Sequence, residues 1–268
     1  MDYITDLKNF IPSCEQEKID YKVFLEFINT YKDKSLDRDN LIGHLSSSAW
    51  IVNQDKTKVL FNFHNIYKNW GWLGGHSDGE KDQSKVALKE AKEESGIDDI
   101  KLLSSSPISI EILPVSYHIK NDKFVNSHLH FNMTYLLQAN DTSELKIKPD
   151  ENSGLKWVDL DDAYKYTNEE CMIPIYKKLS QYVKKIKDWK KRKNMISIKS
   201  KDNSVFTELN GTVEEILNDL IRGVTAILIK IVDDKEAYDI VFERFLEDLI
   251  DFADQVQANM FLDSQIES

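Results

Sequence analysis

Residues 72–97, WLGGHSDGEKDQSKVALKEAKEESGI, carry the pattern that predicts the fold and the site of this chain. They place Glu90, Glu93 and Glu94 at i, i+3 and i+4, a spacing that puts side chains on one stripe of an α-helix. Like charges at this spacing repel by about 0.2–0.5 kcal/mol per pair, and a bound divalent cation removes the conflict. Because a cluster of hard oxygen ligands suits Mg²⁺ or Mn²⁺, the stripe predicts a metal site. The alternative is an ordinary solvated acidic helix face.

Glycines flank this helix on both sides. Gly74 and Gly75 precede a polar loop, and Gly96 follows the helix where a left-handed residue is favourable. The joint spacing resembles the Nudix box, G-x5-E-x7-R-E-U-x-E-E-x-G-U, in which U is a bulky apolar residue. Gly75 takes the first position, Glu90 the second glutamate, and Gly96 with Ile97 closes the box.

The resemblance extends over about residues 40–190. Residues 44–63, 128–131 and 149–157 look like Nudix proteins of bacterial type, close to ADP-ribose pyrophosphatases. Strands and helices alternate without a regular βαβ order, which favours an α+β fold. The expected architecture is therefore a Nudix-type mixed-sheet α/β/α sandwich, with a helical extension before it and a small ββαα unit after it.

The resemblance implies a hydrolase of phosphoanhydride bonds that uses Mg²⁺, with Mn²⁺ as the other suitable ion. Its metal ligands would be Glu90, Glu93 and Glu94. In the family an acidic residue about six positions before a tryptophan often approaches the metal, which here is Glu151, although Asp150 competes for that role. The identity of the general base stays open among Glu93, Glu94 and Glu151.

Substrate-binding residues are expected in the box and in one later strand: Gly74, Gly75, His76, Lys89, His128 and His130. The glycines would let backbone approach the helix, and Lys89 would orient Glu90. His76 would touch phosphate, or do nothing in an exposed loop. His128 and His130 alternate on a strand and share a face, so they line the cleft or lie in the core; two imidazoles together are costly to bury, which favours the cleft.

Three positions depart from the box. Its first glutamate is Lys81, its arginine is Lys89, and the apolar residue after Glu90 is only Ala91. The metal stripe survives these changes. A lysine in place of a carboxylate nevertheless leaves a second hypothesis, a catalytically weak Nudix-like domain that binds a nucleotide and regulates a partner.

The periodicity predicts the surrounding elements. Residues 1–40 form a helical extension with a capping box at Ser13 and Gln16, and its apolar face carries Ile19, Val23, Phe24, Phe27, Ile28 and Tyr31. A β-hairpin spans residues 47–63, and a helix spans residues 84–95. Further strands lie near residues 108–119, 128–137 and 155–158, and a last helix covers residues 173–191.

Charge divides the chain into two compositions. Residues 195–268 hold 6 Lys and Arg against 16 Asp and Glu, a net charge of −10, which leaves −1 of the total −11 to residues 1–194. We therefore expect a Nudix domain over residues 41–194 and a small acidic domain over residues 195–268. The basic run at residues 184–194 is read as a solvated helix end, and nucleic acid is not expected as a partner.

The acidic domain begins with two short strands that pair across residues 202–204, followed by two amphipathic helices. Thr212 and Glu215 form a capping box at the first of these helices. About 70 residues make a small core, so these apolar faces are better buried against another surface. We expect a homodimer or a protein partner through residues 195–268.

No basic leader with an apolar run opens the chain, and no stretch reaches the roughly 20 apolar residues of a membrane span. The two cysteines, Cys14 and Cys171, lack metal-like spacing. These features predict a cytoplasmic protein with no membrane partner.

Overall fold

The structure of the protein is a computed structural model that describes residues 2–120, 122–191, 196–201 and 204–209. The chain divides into two compact units, Met1–Lys187 and Asp188–Ser268. No helix among the described residues is long and apolar enough to cross a membrane.

The N-terminal extension forms helices α1 (Tyr3–Lys8) and α2 (Glu15–Tyr31), followed by a 3₁₀ helix at Lys32–Leu36. The predicted capping box is wrong, because the Ser13 amide and hydroxyl both donate to the carboxylate of Glu17 instead. Gln16 contacts Asp20 and the Ile110 carbonyl, so it is drawn away from the helix start by the strand packed beside it.

Only part of the predicted apolar face of α2 is buried. Phe24, Phe27 and Ile28 are buried, whereas Ile19 is 56% and Val23 43% exposed. Phe27 stacks on Phe131 of the domain that follows, with ring centroids 3.8 Å apart. The extension is therefore an integral layer of the first unit.

The first unit is built on one mixed sheet of 8 strands. In chain order these are β1 (Gly43–Val52), β2 (Lys58–His64), β3 (Asn69–Gly71), β4 (Leu73–His76), β5 (Lys101–Leu102), β6 (Ser109–Val115), β9 (His128–Gln138) and β10 (Asn152–Asp159). β7 (His118–Lys120) and β8 (Lys123–Val125) pair separately, so the strand predicted over residues 108–119 is interrupted before β7.

The sheet divides at β1, and this division creates a cleft. β1 pairs in parallel with β9 along its whole length, yet it pairs with β2 only at Val52 and Val59. Its other edge is taken by the short strand β4, which pairs with residues 46–49. β2 continues separately and pairs with β3 and β10. The space between the two diverging strands opens to the polar face of β1 and β9.

Alternate residues of β1 enter two cores on opposite faces of the sheet. Leu45, Ala49 and Ile51 belong to the core beneath α1, α2 and α3 (Gln83–Ser95). Trp50 and Val52 belong to the core beneath α4 (Met172–Lys191). Helices thus cover both faces, which confirms the expected α+β fold with its α/β/α layers.

In the second unit the structure describes β11 (Ile196–Lys201) and β12 (Ser204–Leu209), which pair antiparallel as the sequence predicted. The two predicted helices after Thr212 lie outside the described residues. Association with a second copy or a protein partner through residues 195–268 stays a prediction.

Candidate active site

Helix α3, which carries the three glutamates, is held at both ends. Asp82 caps the start by accepting a hydrogen bond from the Lys85 amide, and Gly96 ends the helix in the left-handed region with a φ of 70°. The apolar residues Ala87 and Ala91 pack against the sheet. The predicted helix and its glycine terminus are therefore confirmed.

Glu94 is the most enclosed member of the stripe, at 2% exposed. Its Oε2 atom accepts hydrogen bonds from the Gly74 amide and from Asn62 Nδ2, each at 3.1 Å. Burial raises the pKa of Glu94 well above its ordinary value, although the Gly74 hydrogen bond opposes the shift. Two donors thus fix the direction of a carboxylate that is costly to ionise there.

Gly75 leaves the space that Glu90 occupies. A Cβ atom at position 75 would lie 2.5 Å from Glu90 Cδ. At position 74 the conflict is with backbone, because a Cβ would lie 2.5 Å from the Ser47 carbonyl oxygen. The two glycines therefore have different physical roles. Gly75 leaves room for the side chain of Glu90, and Gly74 allows the backbone of strand β1 to approach closely.

Lysines balance the charge of the glutamates. Lys89 Nζ lies 3.2 Å from Glu90 Oε1 and 3.6 Å from Glu93 Oε1. Lys148 Nζ lies 3.3 Å from Glu93 Oε2 and 3.1 Å from Glu151 Oε1. The structure thus brings Glu151 beside the helix stripe, and Lys148 joins the two elements.

The four carboxylates fit a hard divalent cation. Glu90, Glu93, Glu94 and Glu151 converge and offer only oxygen, the ligand set that Mg²⁺ and Mn²⁺ prefer. Burial raises the pKa of Glu90, with Lys89 opposing the shift and the other glutamates adding to it. A cation bound here offsets both the burial and the mutual repulsion of these groups.

Lys81, which replaces the first glutamate of the box, forms an ion pair at the surface. Its Nζ atom lies 2.8 Å from Asp33 Oδ2. Its backbone carbonyl accepts a hydrogen bond from the Tyr3 amide, so this position also anchors α1. The neighbouring Glu80 accepts a hydrogen bond from the Asp82 amide.

The predicted substrate-binding histidines meet one another. His130 Nε2 lies 3.2 Å from Nε2 of His76 and 3.2 Å from Nε2 of His128. Burial, followed by the neighbouring His76, lowers the pKa of His130 to about 2. A fourth histidine, His44, lies against all three rings at centroid distances of 4.8–5.0 Å. The prediction did not include His44, which a period-2 reading of β1 places on the same face as Ser46 and Ser48.

The cleft between the diverging strands joins the carboxylates to an aromatic region. Its lining includes Glu94, Gly74, Gly75, His76, His130, Asn62, Asn132, His64, Tyr67, Trp70, Trp72, Glu169 and Tyr176. Trp70 and Trp72 line the cleft, whereas Tyr117 is 69% exposed and packs with Phe124. The cleft thus extends from Glu94 to a group of aromatic side chains.

A buried polar network supports the floor of the cleft. Asn132 Oδ1 accepts hydrogen bonds from the hydroxyls of Ser46 and Ser48, at 3.2 and 2.9 Å. Asn132 Nδ2 donates to Glu111 and to Thr134, at 2.9 and 3.1 Å. Asn132 and Asn62 were not predicted from the sequence. Each is an amide within an otherwise apolar strand, a pattern that could have indicated a buried polar residue with a role in the site.

Comparison with known proteins gives one family and several similar solved structures. The family model for the NUDIX domain matches residues 44–179. Similar solved structures include a C. elegans Ap4A hydrolase in a binary complex, at 20% identity and a TM-score of 0.41, covering 53% of this chain and 98% of that chain. A NUDIX-family hydrolase from Clostridium perfringens has 23% identity and a TM-score of 0.39, covering 53% and 97%. The E. coli dihydroneopterin triphosphate pyrophosphohydrolase has 16% identity and a TM-score of 0.41, covering 51% and 94%. No curated protein matches the chain.

Proposed function

The chain belongs to the Nudix family and is a hydrolase acting on phosphoanhydride bonds, and we propose that it cleaves a nucleoside diphosphate derivative with Mg²⁺. The substrate class we propose comprises ADP-ribose-like compounds, sugar nucleotides and (d)NTPs. The observation that carries the proposal is the convergence of Glu90, Glu93, Glu94 and Glu151, of which Glu94 lines a cleft with aromatic walls.

The carboxylates supply the chemistry of the acidic end. Mg²⁺ held by Glu90, Glu93 and Glu94 would neutralise the pyrophosphate oxygens and position them for in-line attack. A water oxygen attacks phosphorus, the bridging P–O bond breaks, and a nearby carboxylate accepts the proton of the water. Glu93, Glu94 and Glu151 remain the candidates for this base, and Lys89 orients Glu90 through its 3.2 Å contact.

The aromatic end suits a nucleobase. Trp70 and Trp72 line the cleft, and Lys156 Nζ lies 4.0 Å from the centroid of the Trp70 ring. Flat rings stack on bases of any sequence, and the carboxylate of Glu169, which Asn69 holds by a hydrogen bond of 3.0 Å, could accept from the base edge or ribose. This division favours a substrate with a base at one end and phosphates at the other.

The second hypothesis, a catalytically weak nucleotide-binding regulator, rested on Lys81 and on the fused acidic domain over residues 195–268. Because Lys81 is paired with Asp33, its cation does not replace a carboxylate within the group formed by Glu90, Glu93, Glu94 and Glu151. No observation in the described residues favours this hypothesis over hydrolysis.

A substrate panel tests the proposal. The full chain would be assayed with Mg²⁺ on ADP-ribose, sugar nucleotides, dinucleoside polyphosphates and (d)NTPs, with products separated by chromatography. We expect a nucleoside monophosphate from one class, and Trp70→Ala should raise KM for that class more than it lowers kcat. Absence of turnover on every class, with the protein folded, would contradict the proposal.

A further inference from the structure

Three adjacent strands bring four histidines together beside, but not within, the carboxylate group. His44 of β1 is in register with His130 of β9, and Ser46, two residues after His44, is in register with His76 of β4. Since side chains two residues apart share a face, these rings meet on the same side of the sheet. His128 lies two residues before His130 on that face. We call His44, His76, His128 and His130 the histidine cluster.

Three members of the histidine cluster have ring nitrogens close enough to share one metal ion. One nitrogen from each of His44, His76 and His130 lies within 4.8 Å of the others. The contacts of His130 Nε2 with His76 and His128 are each 3.2 Å. Ligands of a tetrahedral ion with metal–nitrogen bonds of about 2.0–2.1 Å stand about 3.3 Å apart, so two of these spacings already match.

His44 supplies an independent observation. It is 4% exposed, and in the part of the chain that the structure describes neither of its ring nitrogens makes a hydrogen bond of good geometry, although the ring has a backbone contact with Asn40. Burying a polar group without a well-formed hydrogen bond costs about 1–3 kcal/mol, and a metal ion bound to His44 would offset this cost.

His128 has the arrangement of a supported metal ligand. Its Nδ1 atom donates to the backbone carbonyl of Asn126 at 2.8 Å, which leaves Nε2 with a lone pair directed to His130. Metal-binding histidines commonly donate their other nitrogen in this way, because the hydrogen bond fixes tautomer and ring orientation.

We propose that His44, His76 and His130 bind a divalent transition-metal ion, such as Zn²⁺ or Co²⁺, with His128 as the fourth ligand. Imidazole nitrogens favour these ions over Mg²⁺, which prefers oxygen. The nearby cation, Arg38, does not prevent this, because it forms a bidentate pair with Asp78 at 2.6 and 2.5 Å. The ion would tie β4 to β1 and β9, and so hold the segment that carries Gly75 against Glu90.

Co²⁺ binding tests the proposal without an assay of hydrolysis. Chelator-treated full-length protein would be titrated with Co²⁺ in a large excess of Mg²⁺, which fills oxygen sites but competes poorly for imidazole. We expect about one Co²⁺ per chain, with visible ligand-field absorption and no thiolate charge-transfer band, since the ligands are all imidazoles.

Variants separate the histidine cluster from the rest of the chain. His44→Leu removes a buried imidazole at similar volume and should fold; its Co²⁺ affinity should fall by about 100-fold or more, as should that of His76→Ala. The control is His118→Ala, which lies on β7 outside the cluster and should bind as wild type does. No stoichiometric binding to the wild type, or full binding by folded His44→Leu, would overturn the proposal and leave a chain of buried imidazole hydrogen bonds.

Discussion

Gly75 stands directly against Glu90: a Cβ atom at position 75 would lie 2.5 Å from Cδ and 2.8 Å from Oε2 of that glutamate. The atoms in conflict are the end of a flexible side chain, so alanine at this position moves the carboxylate rather than the backbone. At Gly74 the corresponding conflict is with the Ser47 carbonyl oxygen, part of the β1–β4 pairing.

The two glycines therefore predict opposite phenotypes. Gly75→Ala should lower kcat/KM by about 100-fold, the usual effect of a small misplacement of a catalytic group, with little change in Tm. Gly74→Ala should lower the free energy of unfolding by about 1–3 kcal/mol, the cost of overpacking. Steady-state kinetics and thermal unfolding of both variants test these two expectations. Equal loss of stability in Gly75→Ala and Gly74→Ala would contradict the different roles of the two glycines.

Replacing Lys81 by the glutamate usual at this box position should change little. Lys81→Glu breaks only the exposed pair with Asp33, so we expect kcat to change by less than about twofold. Lys81→Gln is the control, because it removes the pair without adding a negative charge. A rate increase of about tenfold or more in Lys81→Glu alone would mean that the native enzyme lacks a functional carboxylate and would revive the regulator hypothesis.

Glu94 should destabilise the fold when no cation is bound. Its raised pKa means that the folded chain binds this proton more tightly than the unfolded chain does, so stability falls as pH rises from the ordinary carboxyl range through the raised value. Glu94→Gln keeps an oxygen for Gly74 and Asn62, and it should raise Tm in chelator at neutral pH.

The slope of Tm against pH in chelator should also be shallower for Glu94→Gln than for the wild type. Added Mg²⁺ should stabilise the wild type increasingly as pH rises, because deprotonated ligands bind the ion, and should have little effect on the variant. Thermal unfolding between about pH 5 and pH 8 measures both. The exposed Glu26→Gln is the matched control, and a Tm in chelator that is lower for Glu94→Gln than for the wild type would contradict this account.

Replacing Lys178 should lower the free energy of unfolding as much as replacing a buried apolar residue does. Its Nζ atom lies 2.8 Å from Glu17 Oε1 and 3.3 Å from Glu111 Oε1, and both glutamates are at most 1% exposed. Burial works against ionisation of Glu17, yet hydrogen bonds from Lys178 and Ser13 keep its pKa below the ordinary value. Lys178→Met leaves these charges unpaired.

The free energy of unfolding of Lys178→Met should fall by about 3–5 kcal/mol at neutral pH. The loss should shrink as pH falls through the carboxyl range, because protonated glutamates no longer need the cation. Lys184→Met, which removes the exposed pair with Asp161, is the control and should cost little. Denaturant titration measures the free energy of unfolding of both variants. Equal small losses would show that the buried ion pairs of Lys178 do not stabilise the fold.

Patterns local to the sequence were sufficient for the box helix and for the two strands before it, but not for the pairing of those strands, which meet only at Val52 and Val59. The i, i+3, i+4 stripe and Gly96 specify α3, and alternation with a polar turn specifies β1 and β2. The same local reasoning failed at the start of α2, where Ser13 bonds Glu17 rather than forming the predicted capping box. There, contact with β6 decides which polar groups pair.

Long-range contacts account for the parts of the site that were not predicted. Asn62 reaches Glu94 because β2 diverges from β1, and Lys148 reaches Glu93 through a loop that returns to α3. His44 lies beside His130 only because β1 pairs in parallel register with β9. Residue spacing along the chain does not encode these distances, so only the folded arrangement reveals them.

The most direct test of the account is the Mg²⁺ dependence of hydrolysis by wild type and by Glu93→Gln/Glu94→Gln. The substrate would be the best one from the panel, and the readout would be release of nucleoside monophosphate. The account predicts saturable activation by Mg²⁺ in the wild type and a loss of about 100-fold or more in the folded double variant, as expected when metal ligands are removed. Full activity in the double variant, or activity in the wild type unaffected by chelator, would contradict the assignment of the carboxylates as the catalytic metal site.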